Sequence, residues 1–171
     1  MKTWLRLTLI TITVGGGFTG VLVTYASLFH STDHRIVYYV LMTGFLALYG
    51  FVIASGLLFV HDPRRIRPLI AALAIQIPWI STPLFVYKFT AGFYAVLTIG
   101  GPREVGNVGL YFGGESLLGN TFKFAFNQDI PWDIGINLWA LMLVILVWRS
   151  VRTSETVSQP IPSAPADAQP N

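Results

Sequence analysis

The sequence predicts a membrane protein built as an all-α bundle of four transmembrane helices, with a small β-meander in the extracytoplasmic loop between helices 3 and 4. Composition is the first observation behind this prediction. Hydrophobic residues make up 53% of the chain and charged residues only 11%, against about 25% charged in a typical soluble domain. The second observation is that long uncharged stretches alternate with short basic groups. Together they indicate one membrane domain, residues 1–152.

Four apolar stretches predict the helices. A helix needs about 20 apolar residues to cross a hydrocarbon core of about 30 Å, and backbone amides in lipid must be hydrogen-bonded internally. The predicted spans are residues 7–29, 36–60, 69–87 and 134–148. The last span is short, so we expect the bilayer to thin around it. A cleaved signal peptide is the alternative for the first span, but its apolar stretch is longer than the usual 7–15 residues.

The basic residues predict the orientation of the chain. With four spans, one side of the membrane carries most of them: Lys2, Arg6, Arg64, Arg65, Arg67, Arg149 and Arg152. Cytoplasmic loops are enriched in Lys and Arg. The predicted location is therefore a bacterial-type inner membrane with both termini in the cytoplasm. Residues 153–171 are rich in Pro, Ser, Ala and Gln, and this composition predicts a disordered cytoplasmic tail.

The loop at residues 88–133 is longer than an ordinary connection. Apolar and polar residues alternate near residues 93–99, 108–112 and 121–126, and glycine-rich turns separate these runs. Such alternation predicts strands. We therefore expect a meander of two or three strands, and a re-entrant segment among the helices is the alternative.

One strand of this loop is the predicted docking surface. Three phenylalanines alternate on one face of the run at residues 121–126, and a lysine lies on the other face. A strand edge with such side chains can bind a partner chain, although the loop could instead only plug the bundle. The residues of the predicted docking surface are Phe122, Lys123, Phe124 and Phe126.

Small and polar residues inside the spans predict helix packing. Glycine and alanine four residues apart allow two helices to approach closely, and an uncharged amide can hydrogen-bond between helices. We expect these roles at six positions: Gly16, Gly20, Gly50, Ala54, Gln76 and Asn137.

Little in the sequence predicts chemistry. Cysteine is absent, which excludes disulfides, thiol catalysis and cysteine metal sites. His30, Asp33 and His34 are weak candidates for a metal site, since polar residues are expected in a short link anyway. The predicted spans contain no ionisable residue that would indicate a proton or ion path. No nucleophile accompanies the scattered carboxylates, no cofactor is predicted, and no basic patch indicates nucleic-acid binding.

These observations predict a non-enzymatic multi-pass membrane protein that acts through protein–protein interaction. An accessory, assembly or immunity-type subunit fits, with the lipid bilayer and a membrane or periplasmic protein as partners. The alternative is a small transporter or channel for a neutral or lipidic solute, which would use Gln76 and a third span bent by Pro78 and Pro83.

Overall fold

The computed structural model describes residues 3–30, 36–101, 111–126 and 131–157. The helices are α1 (Thr3–Ile10), a π-helical segment (Thr11–Gly16), α2 (Gly17–His30), α3 (Ile36–His61), α4 (Ile66–Ala74) and α5 (Leu138–Val157). The strands are β1 (Pro78–Ser81), β2 (Phe85–Thr90), β3 (Phe93–Gly100), β4 (Tyr111–Leu118), β5 (Thr121–Phe126) and β6 (Asp133–Asn137).

Two helices are long and apolar enough to cross a membrane. The first runs without interruption from Thr3 to His30 over 28 residues, and the second is α3 with 26 residues. At 1.5 Å per residue they are about 42 and 39 Å long, which exceeds a hydrocarbon core of about 30 Å. They correspond to the first two predicted spans, residues 7–29 and 36–60.

The predicted third span, residues 69–87, is wrong. α4 ends at Ala74, and the chain continues as β1 and β2. Pro78 has no backbone N–H and disfavours the helical conformation of the residue before it, so the helix cannot continue. A short apolar run cannot be assigned to a helix or a buried strand by periodicity alone. The nine residues of α4 extend only about 14 Å.

The predicted fourth span, residues 134–148, is also wrong. Its first part is β6, and α5 begins at Leu138. Asn137 sets this boundary, because its Oδ1 accepts hydrogen bonds from the backbone N–H groups of Trp139 at 3.2 Å and Ala140 at 3.4 Å. An asparagine at this position caps the start of a helix. The chain is therefore not a four-helix transmembrane bundle.

All six strands form one antiparallel sheet, with the order β4-β3-β6-β1-β2-β5. The predicted runs at residues 93–99 and 121–126 coincide with β3 and β5, but the predicted meander is wrong. β4 and β5 follow each other in the chain, yet they lie at opposite edges of the sheet. Between β4 and β5 lie, among others, β1, β2 and β6. These three strands come wholly or partly from the predicted third and fourth spans.

The sheet is curled into a nearly closed barrel. Only Gly119 and Asn120 join β4 to β5, so the α-carbons of Leu118 and Thr121 are at most about 11 Å apart. A flat sheet of six strands would hold its edges about 24 Å apart. The two edges must therefore meet at this end, which we call the closed end.

The helices pack against one another beyond the closed end of the sheet. Here α1, α3, α4 and α5 contribute to one buried cluster: Leu5, Leu9, Phe59, Leu69, Leu73, Leu143 and Val147. Four-helix packing thus exists over part of the molecule only.

The sheet lies along α2 and the first half of α3. Phe45 and Tyr49 of α3 contact the rings of Phe89 and Phe122, with centroid distances of 4.9 Å for Phe45–Phe122 and 4.8 Å for Tyr49–Phe89. β2 and β5 are therefore the strands fixed to the helices.

Candidate functional site on the concave face of the sheet

One row of side chains crosses all six strands on the same face, because residues directly opposite each other on paired strands point to one side of a sheet. In sheet order the row is Gly113, Thr98, Gly135, Trp79, Lys88 and Lys123.

This row lies on the concave face. Trp79 is only 4% exposed and the next inward residues of β3, Tyr94 and Val96, are 2% exposed. Residues that alternate with them are open to the outside, such as Leu97 at 57% and Ile136 at 48%.

Most polar side chains of the sheet lie on the concave face, around the buried cluster of Trp79, Tyr94 and Val96, and the convex face is mainly apolar. The ionisable or hydroxyl-bearing concave residues with described side chains are Ser81, Lys88, Thr90, Tyr94, Thr98, Glu115, Thr121, Lys123 and Asp133. Soluble antiparallel sheets commonly bury an apolar face, whereas barrels in lipid turn apolar residues outward and polar residues inward. This sheet has the second pattern.

A chain of contacts crosses the concave face from β2 to β4. The Nζ of Lys88 lies 4.7 Å from the centroid of the Trp79 ring, a cation–π distance. The Trp79 and Tyr94 rings are 5.5 Å apart, and Gly135 lies between their strands without a side chain. The Tyr94 hydroxyl donates a hydrogen bond of 2.7 Å to Glu115 Oε1. Burial, and then this bond, raise the pKa of the Tyr94 hydroxyl.

Three amide side chains form hydrogen bonds to the backbone at the closed end. Gln76 Oε1 accepts from the Ala91 N–H at 2.9 Å and its Nε2 donates to the Ala72 carbonyl at 2.9 Å. Asn120 Oδ1 accepts from the Gly92 N–H at 2.8 Å. Asn137 Oδ1 also accepts from the β3 backbone, at Ala95 N–H, at 3.3 Å. In the described part of the chain, Gln76 and Asn137 thus bond to the backbone of helix and sheet.

The predicted packing glycines have different surroundings. A Cβ added at Gly16 would lie 2.6 Å from the Gly92 nitrogen, so the end of the π-helical segment meets the β2–β3 turn there. Gly20 lies against the ring of Tyr49. Gly50 and Ala54 are exposed on α3, and their role in helix packing stays a prediction.

Two buried polar atoms on the concave face lack a hydrogen-bond partner among the described residues. They are Asn137 Nδ2 and Asp133 Oδ1. Both residues belong to β6, and they lie on the two sides of Gly135. The amide nitrogen of Asn137 is a hydrogen-bond donor, and the carboxylate oxygen of Asp133 is an acceptor.

An apolar groove runs between α3 and the edge of β5 that pairs with no other described strand. Its volume is about 460 Å³, and its lining is Val37, Tyr38, Leu41, Met42, Phe45, Phe122, Lys123, Phe124, Ala125 and Phe126. All four residues of the predicted docking surface line this groove. Phe122 also packs on Phe45, while Lys123 belongs to the concave row, and whether a partner docks here stays a prediction.

The candidate metal residues are not brought together. His30 is exposed at the end of α2, and Asp33 and His34 lie outside the described residues. Within the ranges that the structure describes, no group of three His, Asp or Glu side chains is placed to hold a metal ion.

Sequence reasoning missed the central residues of the concave face. Trp79 and Lys88 were assigned to a helix and to its end. Tyr94 was not singled out, and Glu115 was considered only as one of the scattered carboxylates. The available signal was the alternation of polar residues with apolar ones in 78–90 and 133–137, which indicates strands.

Comparison with protein-family models, with curated proteins and with solved structures found no match.

Proposed function

We propose that this chain is a non-enzymatic membrane protein that acts through protein–protein interaction, by adding an extended segment of another protein to the outer edge of β5, the edge that faces away from β2. The observation that supports this proposal is the position of that edge. β5 pairs only with β2 among the described strands, and it lies beside α3, a helix long enough to cross the membrane.

The depth of β5 makes an unpaired edge costly. Phe45 contacts Phe122 and lies 61 − 45 = 16 residues before the end of α3 at His61, or about 24 Å along the helix. With α3 across a hydrocarbon core of about 30 Å, the start of β5 is within lipid. Lipid cannot hydrogen-bond to backbone groups, and open sheet edges are not found exposed to lipid. A partner strand supplies the missing bonds.

The groove indicates the chemistry of the partner. Its walls are the apolar side chains of α3 and the phenylalanines of β5. The fitting segment is extended, with apolar side chains toward α3 and polar ones toward the concave face. A membrane protein, or a periplasmic protein that reaches into the bilayer, can present such a segment.

The orientation belongs to the same proposal. Arg6 donates a hydrogen bond of 3.1 Å to the Val60 carbonyl, so the start of the first helix and the end of α3 share one end of the molecule. Arg64, Arg65 and Arg67 follow α3 directly. The positive-inside rule supports a cytoplasmic location for this end and for both termini, in a bacterial-type inner membrane.

Fewer observations support the alternative function, a transporter or channel. That interpretation used a third span bent by prolines, and the described chain forms strands there instead. Gln76 is occupied by Ala72 and Ala91. We therefore propose interaction rather than transport.

Photo-crosslinking from the two walls of the groove tests the proposal. Benzoylphenylalanine placed at Met42 on α3 and at Phe124 on β5 should capture the same protein in intact membranes. The same probe at Ile134 on central strand β6, which is 47% exposed, should not capture it.

A pair of groove variants supplies the matched control. Leu41→Trp fills the groove and should abolish capture, whereas Val40→Trp adds the same ring at a position that is 64% exposed and outside the lining. Capture of lipid alone from both walls, or capture that survives Leu41→Trp, would refute strand addition at β5.

A further inference from the structure

We propose that the convex face of β1, β6 and β3 contacts the acyl chains of lipids in the extracytoplasmic leaflet of the bilayer. The inference rests on the membrane placement of α3 in the proposed function, but not on a partner at β5. Residues directly opposite each other on paired strands point to one side of a sheet. The register therefore brings together six apolar side chains, which we call the convex patch: Pro78, Ile80, Leu97, Ile99, Ile134 and Ile136.

The convex patch is open to the outside, whereas the other half of the same face is covered. Leu97 is 57% exposed, Ile136 is 48% exposed and Ile134 is 47% exposed within the described part of the chain. On β2 and β5 the convex face packs on α3, where Phe45 contacts Phe122. A contiguous exposed apolar surface marks contact with another protein or with a membrane. The depth of the patch decides between these two.

The patch lies at the depth of the hydrocarbon core when α3 crosses the membrane. Val147 of α5 shares a buried cluster with Phe59, near the end of α3. α5 begins at Leu138, nine residues before Val147, so this start is at most about 14 Å from the level of Val147. The strand adds at most about 7 Å to reach Ile136 and about 14 Å to reach Ile134. Both isoleucines are therefore within about 28 Å of that level, less than a core of about 30 Å. Any tilt of the helix or strand only shortens these distances.

The exposed apolar surface continues from β6 onto α5. Side chains three and four residues apart share one face of a helix, and α5 has three such exposed residues: Leu138, Met142 and Ile145. Residues 134–148 contain no charged side chain. Trp132 and Trp148 stand at the two ends of this stretch and are 39% and 51% exposed. Tryptophan is enriched at both membrane–water interfaces, so these two positions fit the boundaries of a lipid-facing surface.

The strands that carry the patch have no open edge. β1 pairs with β2 and β6, β6 pairs with β1 and β3, and β3 pairs with β6 and β4. Their backbone N–H and C=O groups can therefore be satisfied within the sheet, as lipid contact requires. Their polar side chains lie on the concave face, and apolar residues toward lipid with polar residues inward is the arrangement of sheets in membranes.

Collisions of a nitroxide spin label with oxygen and with a water-soluble nickel chelate test this contact. The chain has no cysteine, so single cysteines can be labelled in the full-length protein and reconstituted in vesicles of phosphatidylcholine and phosphatidylglycerol. Oxygen concentrates in hydrocarbon, whereas the chelate stays in water. Leu97→Cys and Ile136→Cys should give an oxygen-to-nickel collision ratio several-fold above that of Leu84→Cys, at a position that is 76% exposed in the β1–β2 turn. Phe18→Cys, at a position that is 58% exposed on α2, is the matched lipid control and should give the same high ratio.

The Phe18 control separates failure of this inference from failure of the proposed function. A high ratio at Phe18 with a water-like ratio at Leu97 and Ile136 would overturn lipid contact by the sheet and leave the long helices in the membrane. Water-like ratios at all positions would overturn the membrane placement as well. Low collision with both reagents at Leu97 and Ile136 would also overturn lipid contact, and dipolar broadening between labels would then identify a second copy of this chain on the patch. Ile134→Cys replaces either variant that does not fold, and partner capture at β5 is measured independently.

Discussion

Replacing Gly16 by alanine should destabilise the protein, while the same replacement at its neighbour Gly15 should not. A Cβ at Gly16 would lie 2.6 Å from the Gly92 nitrogen, 2.7 Å from its α-carbon and 2.8 Å from the Ala91 carbonyl carbon. All three are backbone atoms of the turn between β2 and β3, so no side chain can move aside. A Cβ at Gly15 would meet nothing within 4 Å.

The two variants share one effect and differ in another. Alanine is more favourable than glycine within a helix by about 0.5–1 kcal/mol, and both variants gain this. Overpacking costs about 1–3 kcal/mol, and only Gly16→Ala incurs it. Because the contact is with backbone, we expect the upper end, about 3 kcal/mol, and a net loss near 2 kcal/mol. Gly92 cannot easily shift away, since its φ of +91° already lies in the region that favours glycine.

Thermal unfolding in mild detergent measures the difference. At roughly 2–4 °C per kcal/mol for a chain of this size, Gly16→Ala should melt about 6–12 °C below Gly15→Ala. Equal melting temperatures would show that the first helix does not contact the turn at Gly92. The docking of the sheet on that helix would then be incorrect.

Two other predictions follow from the closed end and from the orientation of the chain. Gln76→Leu should lower the free energy of unfolding by about 1–3 kcal/mol, because the buried N–H of Ala91 loses its acceptor; unchanged denaturant unfolding would contradict this role. The chain has no cysteine, so single cysteines at Arg64 and at Leu84, which is 76% exposed in the β1–β2 turn, can be labelled with an impermeant maleimide. They should react from opposite sides of the membrane, and reaction from the same side would exclude the proposed orientation.

The sequence located the strands of the loop better than their partners. Alternation placed β3 and β5 correctly because period two is a local property of the chain. Their partners β2 and β6 could not be found in the same way, since β2 begins in the stretch assigned to the third span and β6 lies at the start of the fourth. The contact between Tyr94 and Glu115 entered no prediction for this reason. The contact of Tyr94 with Trp79 and the hydrogen bond from Tyr94 to Glu115 depend on the register of β1, β6, β3 and β4.

Composition and local pattern alone determined that two long apolar helices are present, that cysteine chemistry is absent, and that residues 121–126 form a strand. These properties depend on residues close together in the chain. Tertiary structure decided the remainder: Pro78 and Asn137 divide two apolar stretches into short helices and strands, and a six-stranded sheet forms from pieces far apart in sequence. The physical reason is that an isolated apolar run can satisfy its backbone as helix or as sheet. Only the strands available to pair with it, and the helices it packs against, determine which form is adopted.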